Sequence, residues 1–240
     1  MTVHVGILAS SDIRKLETCI KSCVSEFYSC VGLQITVFIN TRNVPFKDSA
    51  ESLCQHMNID YVVTESNGTP AVGKNTMVKW LSENTNDSYY IFVDGDDRLG
   101  EGFLNIVSQY FDSDIITTEI PENISTYAIA SRIQPNSKVY KHYENLLLKQ
   151  KEYEVESLAR VIAVKRSALD FINYNENLHT LEDAQFAFKL KQQTDLTVSS
   201  IIQSNELYVY SPTRNGNFVR SAMNMEDPDM FFNQFWEVLQ

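Results

Sequence analysis

Tyr89-Tyr90-Ile91-Phe92-Val93-Asp94-Gly95-Asp96-Asp97 is the stretch on which the reading of this chain turns. Tyr89 to Val93 is an unbroken apolar and aromatic run, the pattern of a strand buried on both faces. It ends abruptly in a cluster of carboxylates, Asp94, Asp96 and Asp97. Such a cluster repels itself and is costly unless a cation or water relieves it. Gly95 is expected to let the backbone turn so that Asp94 and Asp96 converge on one point. Hard oxygen ligands of this kind suit Mg2+ or Mn2+, which in turn hold a diphosphate. An acidic turn in solvent is the competing reading, and the position at a strand end weakens it.

Outward from this stretch the chain alternates between strand and helix patterns. Residues 3–9 read as a buried strand, and Ser10-Ser11-Asp12 suits a helix start. Ile13, Leu16, Ile20, Cys23, Val24 and Phe27 then share one helical face. A second strand over 33–39 ends in Asn40, a short helix is expected over 52–57, and a third strand over 60–64. Asn67-Gly68-Thr69-Pro70 marks a turn. Val72, Met77, Trp80 and Leu81 give the following helix its apolar stripe. Beyond the aspartates come a helix over 103–110 and a strand over 114–118. This order predicts an α/β fold with a mainly parallel central sheet and helices on both faces. Ligands in such sheets bind at the carboxyl ends of the strands.

The second half reads less clearly. Residues 120–160 are polar, with a helix expected near 143–151. A strand over 160–165, a helix over 182–193 and strands over 196–202 and 207–210 follow. Residues 228–239 form an amphipathic pattern with Phe231, Phe232, Phe235, Trp236 and Leu239 on one side. Its flanking charges are acidic, so packing on the parent domain or on a twin subunit is a better reading than an anionic membrane. No repeat or linker divides the 240 residues, and one domain is expected.

The formal net charge of −11 argues against a dedicated nucleic-acid binder. Cys19, Cys23, Cys30 and Cys54 form no C-x-x-C pair, and reduced thiols packed as small apolar residues are expected. With no secretory leader pattern and no long apolar run, a cytoplasmic protein without a transmembrane segment is expected.

Three further features carry chemistry. Thr180-Leu181-Glu182-Asp183 opens a helix on which Asp183 shares a face with Phe186, Ala187 and Leu190. A carboxylate placed so is suited to general-base work, and equally to closing a capping box with Thr180. Gly73-Lys74-Asn75 heads a helix, where Lys74 is either a phosphate contact or an ordinary surface lysine. The loop Ser211 to Asn217, with Arg214 inside it and Arg220 beyond, can close over a diphosphate or stay a solvated loop. His179 lies close to Glu182 and Asp183 in sequence and is expected to be structural.

In this order the features resemble the family 2 glycosyltransferases, enzymes of the GT-A (Rossmann-like) fold. The pieces that match are Val5 to Ser11, the strand ending in Asn40, Gly73-Lys74-Asn75, Asp94-Gly95-Asp96-Asp97 and Leu181-Glu182-Asp183. The expected division is a nucleotide-sugar-binding half over 1–118 and an acceptor and catalytic half over 119–225, followed by a C-terminal amphipathic helix over 226–240 whose apolar face can also form a homodimer. The resemblance implies donor contacts from Ala9, Ser10, Asn40, Lys74 and Asp94, to which the loop reading above adds Arg214 and Arg220. Asp94 and Asp96 would hold Mn2+ or Mg2+, and Asp183 would be the base. The activity implied is inverting, metal-dependent transfer of a sugar from a nucleoside diphosphate sugar, UDP-sugar first among them, to an acceptor hydroxyl, a hexosyltransferase reaction. The acceptor itself is not readable. Lys74 stands where the family usually has arginine, and no Gln-x-x-Arg-Trp motif follows Asp183, which excludes the processive synthase pattern. Three alternatives stay open: a nucleotidyltransferase, another metal-dependent Asp-x-Asp α/β enzyme, and a non-catalytic nucleotide-sugar-binding module.

Overall fold

The computed structural model of the chain describes residues 1–26, 32–64, 69–119, 160–177, 182–191, 193, 195–202 and 207–209. His179, Thr180, Arg214, Arg220, the helix expected near 143–151 and the C-terminal amphipathic segment lie outside these residues. The elements run β1 Val3–Ala9, α1 Ile13–Glu26, β2 Leu33–Ile39, α2 Val44–Met57, β3 Asp60–Val63, α3 Pro70–Asn84, β4 Tyr89–Asp94, β5 Arg98–Leu99 and α4 Phe103–Val107. After them come β6 Ile115–Glu119, β7 Arg160–Lys165, α5 Glu182–Lys191, β8 Val198–Ile202 and β9 Tyr208–Val209.

Seven strands form one sheet in the order β3-β2-β1-β4-β7-β6-β8, and β5 pairs with β9 in a small second sheet. The β1–β2, β2–β3, β1–β4 and β6–β8 pairs are parallel. Among the described strands of this sheet only β7 runs against its neighbours, antiparallel to both β4 and β6. The mainly parallel α/β sheet expected from the sequence is therefore present, with one reversed strand inside it.

The period of two along β1 divides the core. Val3, Val5, Ile7 and Ala9 pack with α1 and α2 through Leu16, Ile20, Phe46 and Ala50 on one face. Leu8 of β1, with Phe38, Tyr90 and Phe92, packs with α3 and α5 through Met77, Leu81, Phe186 and Leu190 on the other. Gly6 lets α3 come close: a Cβ there would stand 2.7 Å from the Met77 sulfur. Cys19, Cys23 and Cys54 are buried free thiols, as the absence of a C-x-x-C pair suggests. Burial pushes the Cys54 thiol up to about 11, consistent with a packing role.

The start of α2 and the buried face of α3 differ most from the sequence reading. Helix α2 begins at Val44, not near Ser52, because Asn43 caps it: its side chain accepts from the Phe46 N–H, and Pro45 sits in the first turn. The α3 stripe also turns out differently. Its buried residues are Ala71, Gly73, Lys74, Met77, Val78 and Leu81, while Val72 and Trp80 are only partly covered.

Candidate active site

The site stands at the carboxyl ends of β1, β2 and β4, which the register brings level: Leu8 lies opposite Asp94, and Ala9 opposite Ile39. Asn40 continues β2, its backbone N–H donating to the Ala9 carbonyl at 2.7 Å. It is 2% exposed, its amide donates to the Thr69 carbonyl at 3.1 Å, and its Oδ1 accepts from the Thr64 hydroxyl at 3.2 Å. A Cβ on Gly73 would lie 2.6 Å from the Asn40 Cγ, so the start of α3 is docked directly on this side chain.

Ala9, Ser10, Ser11 and Asp12 line a cleft together with Leu8, Leu16, Phe46, Gly95 and Asp96. Asp12 itself caps α1, accepting from the Arg14 and Lys15 N–H groups at 3.0 and 3.1 Å. Two expected donor contacts, Ala9 and Ser10, thus share a cleft with one expected metal ligand, Asp96.

Gly95 sits in the turn expected of it, between Asp94 and Asp96, whose carboxylate oxygens come within 4.8 Å of each other, and close packing adds a second reason for glycine there. Its φ is not positive; the backbone runs hard against β1, with the Gly95 N–H donating to the Leu8 carbonyl at 2.8 Å. A Cβ on Gly95 would meet that carbonyl oxygen at 3.0 Å and the Ala9 Cα at 3.1 Å.

The carboxylates that follow are not equivalent. Asp97 is 2% exposed, accepting from Arg160 Nη1 at 3.1 Å and from the Tyr208 hydroxyl at 3.0 Å. Asp94 pairs with the other arm of the same guanidinium, Arg160 Nη2, at 2.7 Å, and its N–H donates to the Tyr208 hydroxyl at 3.2 Å. Burial would raise the Asp94 carboxyl, but Arg160 and then Lys74 outweigh it and hold it below the usual range. Asp96 has no ion pair among the described residues. Burial first, and then the charge of Asp94, push its carboxyl up.

Arg160 went unrecognised in the sequence. It is the first residue of β7, and β7 pairs antiparallel to β4 with Ala163 opposite Ile91. That reversed register carries Arg160 to the carboxyl end of β4, beside Asp94. A parallel β7 would have placed it at the far edge of the sheet. The guanidinium also lies over the Tyr208 ring at 4.7 Å, so β9 fixes its plane.

A second ion cluster stands on the α3–α5 side. Lys74 is 5% exposed, so it is not a surface lysine. Its Nζ donates to Glu182 Oε1 at 2.7 Å and to both oxygens of Asp183 at 2.6 and 2.7 Å, and lies 5.2 Å from the Tyr174 ring centre. Burial would lower this ammonium, but Asp183 and Glu182 outweigh it and hold it well above its ordinary value. The helical spacing predicts Asp183 on the core side of α5. The more deeply covered carboxylate is Glu182, with side-chain exposure 7% against 29% for Asp183. Burial pushes Glu182 up in spite of Lys74. The clusters feel each other: Lys74 acts on Asp94, and Asp183 on Arg160.

Five carboxylates therefore gather around two buried cations, Lys74 and Arg160. One oxygen from each of Asp94, Asp96 and Asp97 lies within 4.8 Å of the others. The excess of negative charge and the all-oxygen donor set fit a hard divalent cation, with Asp96 and the Asp94 oxygen that Arg160 does not engage the ligands nearest to hand.

No protein-family model matches the chain, and no curated protein sequence matches it significantly. Solved structures do match its fold. The 1–349 fragment of S. aureus TarS in complex with UDP-GlcNAc aligns with TM-score 0.59 and 16% identity, covering 99% of this chain and 65% of that one. The mannosyltransferase PcManGT from Pyrobaculum calidifontis, in complex with GDP-Man and Mn2+, aligns with TM-score 0.57 and 12% identity over 95% of this chain and 66% of that one. Glucosyl-3-phosphoglycerate synthase from Mycobacterium tuberculosis, in complex with Mn2+, UDP and glucosyl-3-phosphoglycerate, aligns with TM-score 0.63 and 12% identity over 99% of this chain and 80% of that one. The chain spans about two thirds of the first two of these proteins. Sheet order, helix placement and these alignments agree that the chain has the GT-A fold of the nucleotide-sugar glycosyltransferases.

Proposed function

We propose that the protein is a metal-dependent glycosyltransferase that moves a sugar from a nucleoside diphosphate sugar to an acceptor hydroxyl. The observation that carries the proposal is the negative cluster Asp94, Asp96 and Asp97 at the ligand end of the sheet, beside the cleft lined by Ala9 and Ser10. Ligands bound to the structural neighbours, UDP-GlcNAc, UDP and GDP-Man, with Mn2+ in two of the complexes, support this reading. A UDP-sugar is the donor we favour. Asp94 and Asp96 would hold Mn2+ or Mg2+, which would supply charge neutralisation for a departing nucleoside diphosphate.

In this proposal Ala9 and Ser10 form one wall of the donor site, and buried Asn40 fixes the loop beneath it. Arg214 and Arg220 close over the diphosphate. Lys74 stands behind the site and orients Asp183. Asp183 takes the acceptor proton, and attack opposite the leaving group inverts the anomeric centre. Asp183 is suited to this because it keeps partial exposure while Glu182 is buried.

Release of nucleoside diphosphate, measured over a panel of acceptors, tests the assignment. Asp183→Asn keeps the size and one acceptor oxygen. It should fold, bind UDP with Mn2+, and transfer at least ~100-fold more slowly. Normal turnover in a well-folded Asp183→Asn protein would remove Asp183 from the mechanism while leaving donor binding intact.

A further inference from the structure

Arg160 has an unusual place for a cation in a centre built to hold a cation. It is 8% exposed and pairs with two of the three candidate metal ligands, Asp94 at 2.7 Å and Asp97 at 3.1 Å. The Tyr208 hydroxyl bonds Asp97 at 3.0 Å, and the Tyr208 ring supports the guanidinium at 4.7 Å, so the fork is clamped in position. A guanidinium does not lose its proton in a protein, so the charge is permanent.

We propose that Arg160 is a built-in counter-cation: it withholds Asp94 and Asp97 from a free divalent ion, so that metal enters the site together with the nucleoside diphosphate. This rests on the donor reading above. A divalent ion joining Asp96 and Asp94 would lie within a few ångströms of the guanidinium, and like charges at that range in a part-buried site repel strongly. A diphosphate brings its own negative charge and reverses the balance. The pair Asp94–Arg160 thus discriminates metal–nucleotide from metal alone. It also explains why Asp96 is left without an ion pair among the described residues: it is the carboxylate kept open for the incoming complex.

The test uses the full chain and Mn2+ as the probe, with free Mn2+ followed by electron paramagnetic resonance, alone and with saturating UDP. Wild type should bind Mn2+ weakly alone and at least ten-fold more tightly with UDP. Arg160→Met should bind Mn2+ alone at least ten-fold more tightly than wild type, and its gain from UDP should shrink. Arg160→Lys, which keeps the charge, should stay within about three-fold of wild type. Should Arg160→Met fail to fold, the double variant Arg160→Met/Asp97→Asn is compared with Asp97→Asn alone, and the double should again bind Mn2+ more tightly. A wild type that binds Mn2+ with UDP, beside a folded variant lacking Arg160 that gains no Mn2+ affinity, overturns the role of Arg160 and leaves the donor reading standing. Wild type and variant that both ignore Mn2+, with and without UDP, overturn both.

Discussion

Replacing Lys74 by methionine isolates the buried ion cluster between α3 and α5. Methionine fills the same volume and suits a helix, so the lost interaction is the charge. Lys74 is 5% exposed and donates to Glu182 and to both oxygens of Asp183 at 2.6–2.7 Å. Removing one partner of a buried pair leaves the other charge uncompensated, a cost of about 3–5 kcal/mol. For a chain of this size about 1 kcal/mol lowers Tm by roughly 2–4 °C, so Lys74→Met should melt roughly 6–20 °C below wild type at pH 8. The sign of the pH dependence follows from Glu182. Burial already raises its carboxyl, and loss of Lys74 raises it further. A carboxyl raised in the folded state is penalised only once pH climbs above its unfolded value, and fully above its folded value. The deficit should therefore narrow as pH falls toward the ordinary glutamate range, and Lys74→Met/Glu182→Gln should recover part of it at pH 8. Circular dichroism melts from pH 5 to pH 8 measure both effects. A Lys74→Met protein that melts within ~2 °C of wild type at pH 8 would refute the buried pair and return Lys74 to the surface.

Two other perturbations bear on the scaffold. Gly73→Ala should lower stability by about 1–3 kcal/mol, seen as a lower denaturation midpoint at unchanged slope, because a Cβ there meets the buried Asn40 side chain. His4 bridges Asp87 and Thr36 at 3.1 and 2.9 Å, and burial outweighs Asp87 to hold its imidazole below the usual value. Neutral His4 then donates from Nδ1 to Asp87 and accepts from the Thr36 hydroxyl at Nε2. The unfolded chain takes up the proton first, so this contribution is present above about pH 6.5 and fades as pH falls. The melting gap between wild type and His4→Gln should accordingly shrink from pH 8 to pH 5; a gap that widens would mean His4 is charged in the fold.

How much of this was legible follows from where each signal resides. The central strands declare themselves because a two-faced strand needs an unbroken apolar run, and Tyr89 to Val93 has one. Asp94, Asp96 and Asp97 were conspicuous because carboxylates at a strand end are expensive without a purpose. Lys74 was half legible: Lys74, Met77, Val78 and Leu81 share a helical spacing that marks the buried face, but a lysine at a helix start invites the surface reading. Arg160 was illegible in principle. Its place depends on the reversal of β7, which is fixed by pairing with β4 and follows a segment with no clear pattern. At Gly95 the turn was legible from the residues on either side, but the close approach of its backbone to Leu8 and Ala9 was not, because it depends on the register between β4 and β1.

The central claim is that the aspartate cluster holds a metal-bound nucleoside diphosphate. Calorimetric titration of UDP into wild type and Asp96→Asn, each with Mn2+ and with chelator, tests it most directly. The account predicts that wild type binds UDP at least ten-fold more tightly with Mn2+, and that Asp96→Asn loses most of that difference while melting near wild type. Equal UDP affinity with and without Mn2+ in the wild-type protein would contradict it.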